Sequence, residues 1–401
     1  MPQEGGLRNQ RITFIRESEI GVTPTNPEHK LFSDNISSFD WSPDGNISEQ
    51  RGIGSVDPKG FYAGVESHTL KIVYDLQKFF IKGGTPNDAA HDGMVRTLDN
   101  ELPASHTIIQ REKHFTGGVA GNGFHTYTVA QGGKVGSVNL SGDPGSNDPI
   151  PVTLDYTFTK IRSYKINQPA ASTALTVKAS ESADEGINIT IEDESANTSE
   201  TIAITQAGAT TTATFESIDA IWLDSETIGT VTIEDGSGNL LAEINGKSSY
   251  DGIEGDRGIP PLGSGSFETE INKPYQRFLG DKIERPSGTE FAYDINSVEL
   301  TIDNSLDTTA VSNRKGMKIT ETTRSIELTA TIFGEAASHD KILEHMQVIG
   351  QDVIWTMDNG KITIPSAVLT ETGGRSIEEG QARMELNNKF VGRGLELTEL
   401  T

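Results

Sequence analysis

Three groups of side chains in this 401-residue chain have the types that chemistry requires. The first is Gly246-Lys247-Ser248, which looks like the end of a phosphate-binding loop, where backbone N–H groups and a lysine cradle phosphate oxygens. Leu241 stands where such a loop needs its first glycine, and Ala242 to Asn245 read as the end of a strand, so the tripeptide is assigned to a turn. The second group is the eight histidines. His339 and His345 fall off one helical face, no His-Glu-x-x-His occurs, and His106, His114 and His125 sit in strands and a glycine-rich loop. They read as surface or interface histidines. The third group is rich in oxygen: Asp143, Asn147 and Asp148 in one segment, Asp235 and Asn239 in another. Such residues bind calcium, but neither segment follows the calcium-loop pattern, and both fall where a tight turn calls for Asp, Asn and Gly.

No nucleophile elbow and no dinucleotide loop follows any strand. Carboxylates are spread too evenly for one pair to stand out as acid and base. Asn-x-Ser/Thr matches at Asn35, Asn46, Asn139, Asn188 and Asn197 are what a Thr- and Asn-rich chain offers by composition. The expectation is a protein that is not an enzyme and uses no cofactor or metal.

Acidic residues outnumber basic ones 58 to 33, for a formal charge of −25. Surfaces that bind nucleic acid neutralise phosphates with Lys and Arg, so this balance argues against one. A well-solvated acidic surface and adaptation to high salt both account for it. There are no cysteines, which excludes disulfides and thiolate metal sites. No apolar run is long enough to span a bilayer and no charged-then-apolar leader opens the chain, so a soluble protein without a membrane partner is expected.

The elements that must hold these residues are mostly strands. Val152, Leu154, Tyr156 and Phe158 alternate with Thr153, Asp155, Thr157 and Thr159. Val298, Leu300 and Ile302 alternate with Glu299, Thr301 and Asp303, and Ile326, Leu328, Ala330 and Ile332 with Glu327, Thr329 and Thr331. Period-two alternation marks half-buried antiparallel strands. Asn359-Gly360 predicts a type I′ hairpin. One segment reads firmly as a helix, capped by Ser338, with Ile342, Leu343, Met346 and Ile349 on one face and Gly350 as its stop. A weaker counterpart spans Asn87 to Leu98, where Asp92-Gly93 breaks the pattern.

The order of elements in the N-terminal third returns in the C-terminal third: two strands, a short helical stretch, then three more strands. A repeat of this length is a duplicated domain rather than a solenoid unit. Between the copies, seven short strands with regular turns suit an immunoglobulin-like sandwich inserted as a surface decoration, entered through "INQPAAS" and left through "EGDRGIPPLGSGS". The expected domains are 1–165, 166–264 and 265–401, and the expected class is mainly β: two tandem antiparallel sandwich or barrel domains, each with one short helix, plus the insert.

The opening "RITFIRESEIGVTPTNPEHKLFSDNISSF", with Glu17, Ser18, Gly21, Val22, Thr23 and Pro24, resembles the start of tail tube (major tail) proteins of long-tailed viruses of bacteria and archaea. Ser297 to Asp307, followed by a long strand pair and one helix, is similar to the core of that family. The resemblance covers both outer thirds and leaves out the insert. It implies two tube-type β-domains whose sheets join those of neighbouring subunits into a barrel, with rings stacked into a tube. Three such chains would make a ring of pseudo-sixfold symmetry. It also implies a place in the virion tail after assembly in the host cytoplasm. The implied partners are other copies of the chain, a tape-measure protein, a tail terminator and tail-tip proteins, with double-stranded DNA passing through unbound. Asp155, Glu299, Asp303 and Glu327 are then the expected lumen-facing residues, because alternation puts each opposite an apolar row. A head-decoration, envelope-layer or fibre protein is the alternative, and a carbohydrate-active or proteolytic β-enzyme a more distant one.

Overall fold

The computed structural model describes residues 10–24, 27–33, 35–44, 47–50, 60–63, 67–77, 89–95, 105–115, 123–143, 148–194, 196–246, 256–261, 282–284, 294–310, 317–333, 350–357, 360–372 and 385–399. Their structure is mainly β, with antiparallel pairing between the strands. A first group comprises β1 (Gln10–Arg16), β2 (Lys30–Leu31), β3 (Ile36–Asp44), β4 (Ile47–Gln50), β5 (Gly60–Ala63) and β6 (Ser67–Asp75). It continues with helix α1 (Ala89–Met94), β7 (His106–Phe115), β8 (Gly123–Gly142), β9 (Pro151–Phe158) and β10 (Lys160–Asn167). A second group comprises β11 (Thr176–Ala179), β12 (Asn188–Asp193), β13 (Thr198–Ala203), β14 (Ala209–Thr210), β15 (Ala220–Leu223), β16 (Val231–Glu234), β17 (Leu240–Ile244) and β18 (Gly258–Ile259). The third comprises β19 (Lys282–Glu284), β20 (Asp294–Asp303), β21 (Leu306–Ala310), β22 (Met317–Glu321), β23 (Ser325–Phe333), β24 (Gln351–Met357), β25 (Gly360–Thr372), β26 (Glu385–Gly392) and β27 (Glu396–Glu399).

β8 is long enough to serve two sheets. Its first half pairs with β7 and β10, and its second half with β9. The change falls at Gly132, where φ is +67°. A Cβ there would meet Thr159 Oγ1 at 2.1 Å, and one on Gly133 would meet the Phe158 ring at 2.2 Å, so the bend needs both glycines. β25 behaves alike: Gly360–Thr363 pairs with β27 and the same end with β24, whereas Val368–Thr372 pairs with β26. Its change falls at Ser366, whose φ is also positive, at 50°.

The pairings of the first group recur in order in the third. β3–β6, β6–β9, β8–β9, β7–β8, β8–β10, β1–β7 and β4–β5 have counterparts in β20–β23, β23–β26, β25–β26, β24–β25, β25–β27, β19–β24 and β21–β22. Register breaks match as well, between Ile36 and Ser38 against Ile295 and Ser297, and between Val135 and Ser137 against Leu369 and Glu371. The groups meet edge to edge, with Ser137–Gly142 of β8 opposite Val298–Asp303 of β20. This makes an eight-strand antiparallel run, β3-β6-β9-β8-β20-β23-β26-β25. Burying alternate residues of these strands, among them Leu70, Ile72, Leu154, Tyr156, Val138, Leu140, Leu300, Ile302, Leu328 and Phe390, builds one apolar core beneath both groups.

The second group forms two four-stranded sheets, β14-β11-β16-β17 and β13-β12-β15-β18. Six of the seven segments read as strands hold one; Thr211–Ile218 has only an isolated bridge from Phe215 to Thr173, and β18 lies in the stretch expected to be an exit loop. Its Gly258 and Ile259 pair with Trp222 and Ile221. Position 166 falls inside β10, which is paired with β8 along its length.

The weak helix proves to be α1, shorter than expected, with Asp92 and Gly93 buried inside it rather than breaking it. A Cβ on Gly93 would come within 2.6 Å of Val135 Cγ1 and Val138 Cγ2, so glycine lets the helix lie directly on β8. The helix expected after Ser338 lies outside the described residues, as do Asn359 and the turn it belongs to. Met357 and Gly360 on either side of that turn are paired.

Candidate functional site

Residues of the eight-strand run that point away from the core share one polar face. Register lines up Asp40, Lys71, Asp155, Ser137 and Asp303 across β3, β6, β9, β8 and β20. A second row runs through Thr153, Asn139, Thr301, Glu327 and Val391, and a third through Ser141, Glu299, Thr329, Lys389 and Glu371. Asp155, Glu299, Asp303 and Glu327, expected from alternation to lie opposite an apolar row, are thus together on this face. The first three are exposed and Glu327 is half-buried.

Each of the four is held by a local donor. Ser137 Oγ donates to Asp155 at 2.6 Å, Asn139 Nδ2 to Glu299 at 2.6 Å, and the Ser305 N–H to Asp303 at 2.7 Å. Glu327 forms an ion pair with Lys389 at 2.9 Å, and that carboxylate raises the lysine's pKa. Sequence reading missed Asp40, Asp75 and Glu371 as members of the face, and, among the described residues, its lysines Lys71, Lys134 and Lys389. The signal was present, since Lys71 alternates with Leu70 and Ile72, but register was needed to bring the strands side by side. With Glu321 at the margin, eight named carboxylates face three lysines, an excess of five negative charges.

Glu17, Gly21 and Thr23 of the opening motif meet behind this face, at the bend of β8. Glu17 is buried and accepts from Gly21 N at 2.7 Å, Ser105 Oγ at 2.6 Å, Thr107 Oγ1 at 2.7 Å and Gly132 N at 2.8 Å. Thr23 Oγ1 lies 2.8 Å from Thr107 Oγ1 and accepts from Gln131 Nε2 at 2.9 Å. The motif is a clamp on the strand that serves two sheets.

Two buried charge clusters lie deeper. Asp92 accepts from Arg16 Nε at 2.6 Å and lies 2.9 Å from His106 Nε2, while His106 Nδ1 lies 2.9 Å from the Tyr156 hydroxyl. Burial opposes ionisation of Asp92, yet the bonds with His106, His91 and Arg16 outweigh it and hold the carboxyl well below the usual range. His106 is therefore a fully buried link between strand and helix, not a surface histidine.

The other cluster joins the second group to the β1-β7-β8-β10 sheet of the first group. Arg111 donates to Glu194 at 2.7 Å and Asp219 at 3.1 Å, Lys113 lies 3.2 Å from Asp219, and Arg11 pairs with Glu194 at 2.5 Å. Against the cost of burial, Arg11 and Arg111 hold the Glu194 pKa down to about 2. Burial lowers His125 and His29 to about 4 each, and the charges of Arg111 and of Lys113 or Arg11 push the same way. Around this cluster Ile15, Ile109, Tyr127 and Val129 share a core with Leu175, Ile191, Ile218 and Ile221 from the second group's part of the chain. The second group is thus packed onto the first through a shared apolar core.

No metal-binding group of three or more His, Cys, Asp or Glu occurs among the described residues. Asp235 accepts from Ser237 N at 2.8 Å, Asn239 N at 2.9 Å and Asn239 Nδ2 at 2.8 Å, which is the closed turn expected there. Asn147, Lys247, Ser248, His339 and His345 lie outside the described residues. No family model matches this chain, and no curated protein matches it in sequence.

Proposed function

We propose that this chain is a structural subunit of a viral tail tube, with β1–β10 and β19–β27 as two copies of one tube domain and β11–β18 as an immunoglobulin-like insert. The observation that carries this reading is the edge-to-edge joint between β8 and β20. It links two strand groups with the same pairings and the same register breaks, so it serves as a pattern for joining chain to chain. In the described residues, β3 and the Val368–Thr372 half of β25 end the eight-strand run. They are the counterparts of β20 and β8. The same joint between β25 of one chain and β3 of the next would satisfy both edges, which are otherwise open to aggregation. Three chains then close a barrel of pseudo-sixfold symmetry, and stacked barrels make the tube.

In this arrangement the polar face lines the channel, with Asp155, Glu299, Asp303 and Glu327 toward the passing duplex. An excess of carboxylates repels phosphate and leaves DNA mobile during genome ejection. The subunit is not an enzyme on this reading. Its partners are further copies of itself, a tape-measure protein, a terminator and tip proteins, in the tail of the virion. Negative-stain micrographs of the purified protein test the reading: rings or hollow tubes are expected, and dispersed monomers at high concentration overturn it. Native mass measurement of single rings should give three chains, and six would remove the pseudo-sixfold arrangement.

A further inference from the structure

Among the described residues, three lysines stand on an otherwise acidic face, each set beside carboxylates. Lys71 stands directly between Asp40 on β3 and Asp155 on β9. Side chains opposite each other in antiparallel strands have Cβ atoms roughly 4.5–5.5 Å apart, close enough for a lysine to reach either carboxylate. Lys389 stands between Thr329 and Glu371 and forms its ion pair with Glu327 at 2.9 Å. Lys134, at the margin where the β21–β22 hairpin covers the sheet, pairs with Glu321 at 2.5 Å, both side chains nearly buried. Chance placement on a face this acidic explains a carboxylate near each lysine. It does not explain why Lys71 has one on both neighbouring strands, or why Lys389 has one at its register position and another one step along.

We infer that Asp40 and Asp155, and Glu327 and Glu371, act as shields that hold Lys71 and Lys389 away from phosphate, so that the face presents no cation to a duplex. This rests on the channel reading and adds which residues keep the face from gripping. Lys389 donates to Glu327 with Glu371 opposite it, and Lys71 lies between two carboxylates by register, so each sits in a local negative field and releases few counterions from DNA. Freed of its carboxylates, either lysine becomes a phosphate contact, and such contacts add to affinity and to its salt dependence. Lys71 and Lys389 thus hold like charges apart within the sheet, and the flanking carboxylates keep them from catching the duplex.

The test compares two full-length variants with equal loss of charge. In E327Q/E371Q the removed carboxylates flank Lys389, and in E299Q/D303N they do not. Binding of a short fluorescent mixed-sequence duplex is followed by anisotropy at low and at physiological salt, with urea midpoints showing that each variant is folded. The expected result is ~tenfold tighter binding by E327Q/E371Q than by E299Q/D303N, with a steeper salt slope, abolished when K389M is added. D40N/D155N should behave in the same way through Lys71. Equal binding by the two charge-matched variants, or tighter binding that survives K389M, overturns the shield. Tight binding of duplex by the unaltered chain instead overturns the non-gripping channel on which the inference rests.

Discussion

The β1-β7-β8-β10 sheet of the first group and the β19-β24-β25-β27 sheet of the third have the same pairings and opposite surroundings. By register, Tyr127 and Val129 of β8 correspond to Lys361 and Thr363 of β25, and Gly132 to Ser366. Tyr127 and Val129 are buried beneath the second group, whereas Lys361 and Thr363 are half-exposed. At the bend, Gly132 N is capped by Glu17 at 2.8 Å and Ser366 N by Asp352 at 2.9 Å. One backbone solution is therefore kept while its chemistry changes with what lies on top. The lesson is that pairing and bulges define the scaffold, and the outer face is free to take on a further layer.

The largest expected effect comes from removing that layer. Deleting residues 168–261 exposes Ile15, Ile109, Tyr127 and Val129, each worth about 1.5–3 kcal/mol when buried. The shortened chain should aggregate or be digested rapidly in limited proteolysis. Giving it the third group's residues, Tyr127→Lys and Val129→Thr, should recover soluble protein. A shortened chain that folds without these changes would show the layer to be a mere attachment. Next in size, Asp219→Ala leaves the buried Arg111 and the half-buried Lys113 without their shared carboxylate, which should cost about 3–5 kcal/mol in urea denaturation. Asp235→Ala, in an exposed turn, should cost far less.

Acid separates the regions more gently. His29 and His125 titrate near 4 in the folded chain against 6.5 in the unfolded one, so the folded state binds fewer protons between these values. Their stabilising effect is complete above pH 6.5 and falls as pH drops toward 4, by roughly 1 kcal/mol per pH unit per histidine. Asp92 behaves differently: its lowered carboxyl contributes above the unfolded value of 3.8 and loses that contribution only at more acid pH. Hydrogen exchange at pH 5 should therefore quicken in β12 and β15 before it quickens in α1. The two bends should respond with opposite signs. Ser366→Gly relieves a non-glycine residue at positive φ and should stabilise by about 0.5–1 kcal/mol. Gly132→Ser should destabilise by about 1–3 kcal/mol, because a Cβ there meets Thr159.

Much of this was legible in the residues. Alternation in β9, β20 and β23 put Asp155, Glu299, Asp303 and Glu327 opposite their apolar neighbours, since side chains in a strand alternate between faces. The mainly β character also read correctly, because turn residues separate the strands. Three things did not read. Gly132-Gly133 gave no hint that one strand continues through them, because glycine marks a turn and a bend alike. Asp92-Gly93 looked like a helix break, and only contact with Val135 and Val138 explains the glycine. Tyr127 and Val129 alternate with Thr126 and Thr128 as an edge hairpin would, and what covers them lies some fifty to ninety residues further on, beyond the reach of local pattern.

The joint between β8 and β20 also bears on how the chain is made. Ile302 pairs with Val138 but follows it by 164 residues. At ~5–20 residues per second, synthesis leaves the second half of β8 without that neighbour for roughly ten to thirty seconds. During that interval the nascent chain shows a sticky strand edge to every other nascent copy around it. The β8 edge in that window carries Ser137, Asn139 and Ser141 on its polar face, a row of small uncharged side chains with nothing to repel a stray strand. Crowded polysomes are thus the setting in which this protein is most exposed to pairing with the wrong molecule.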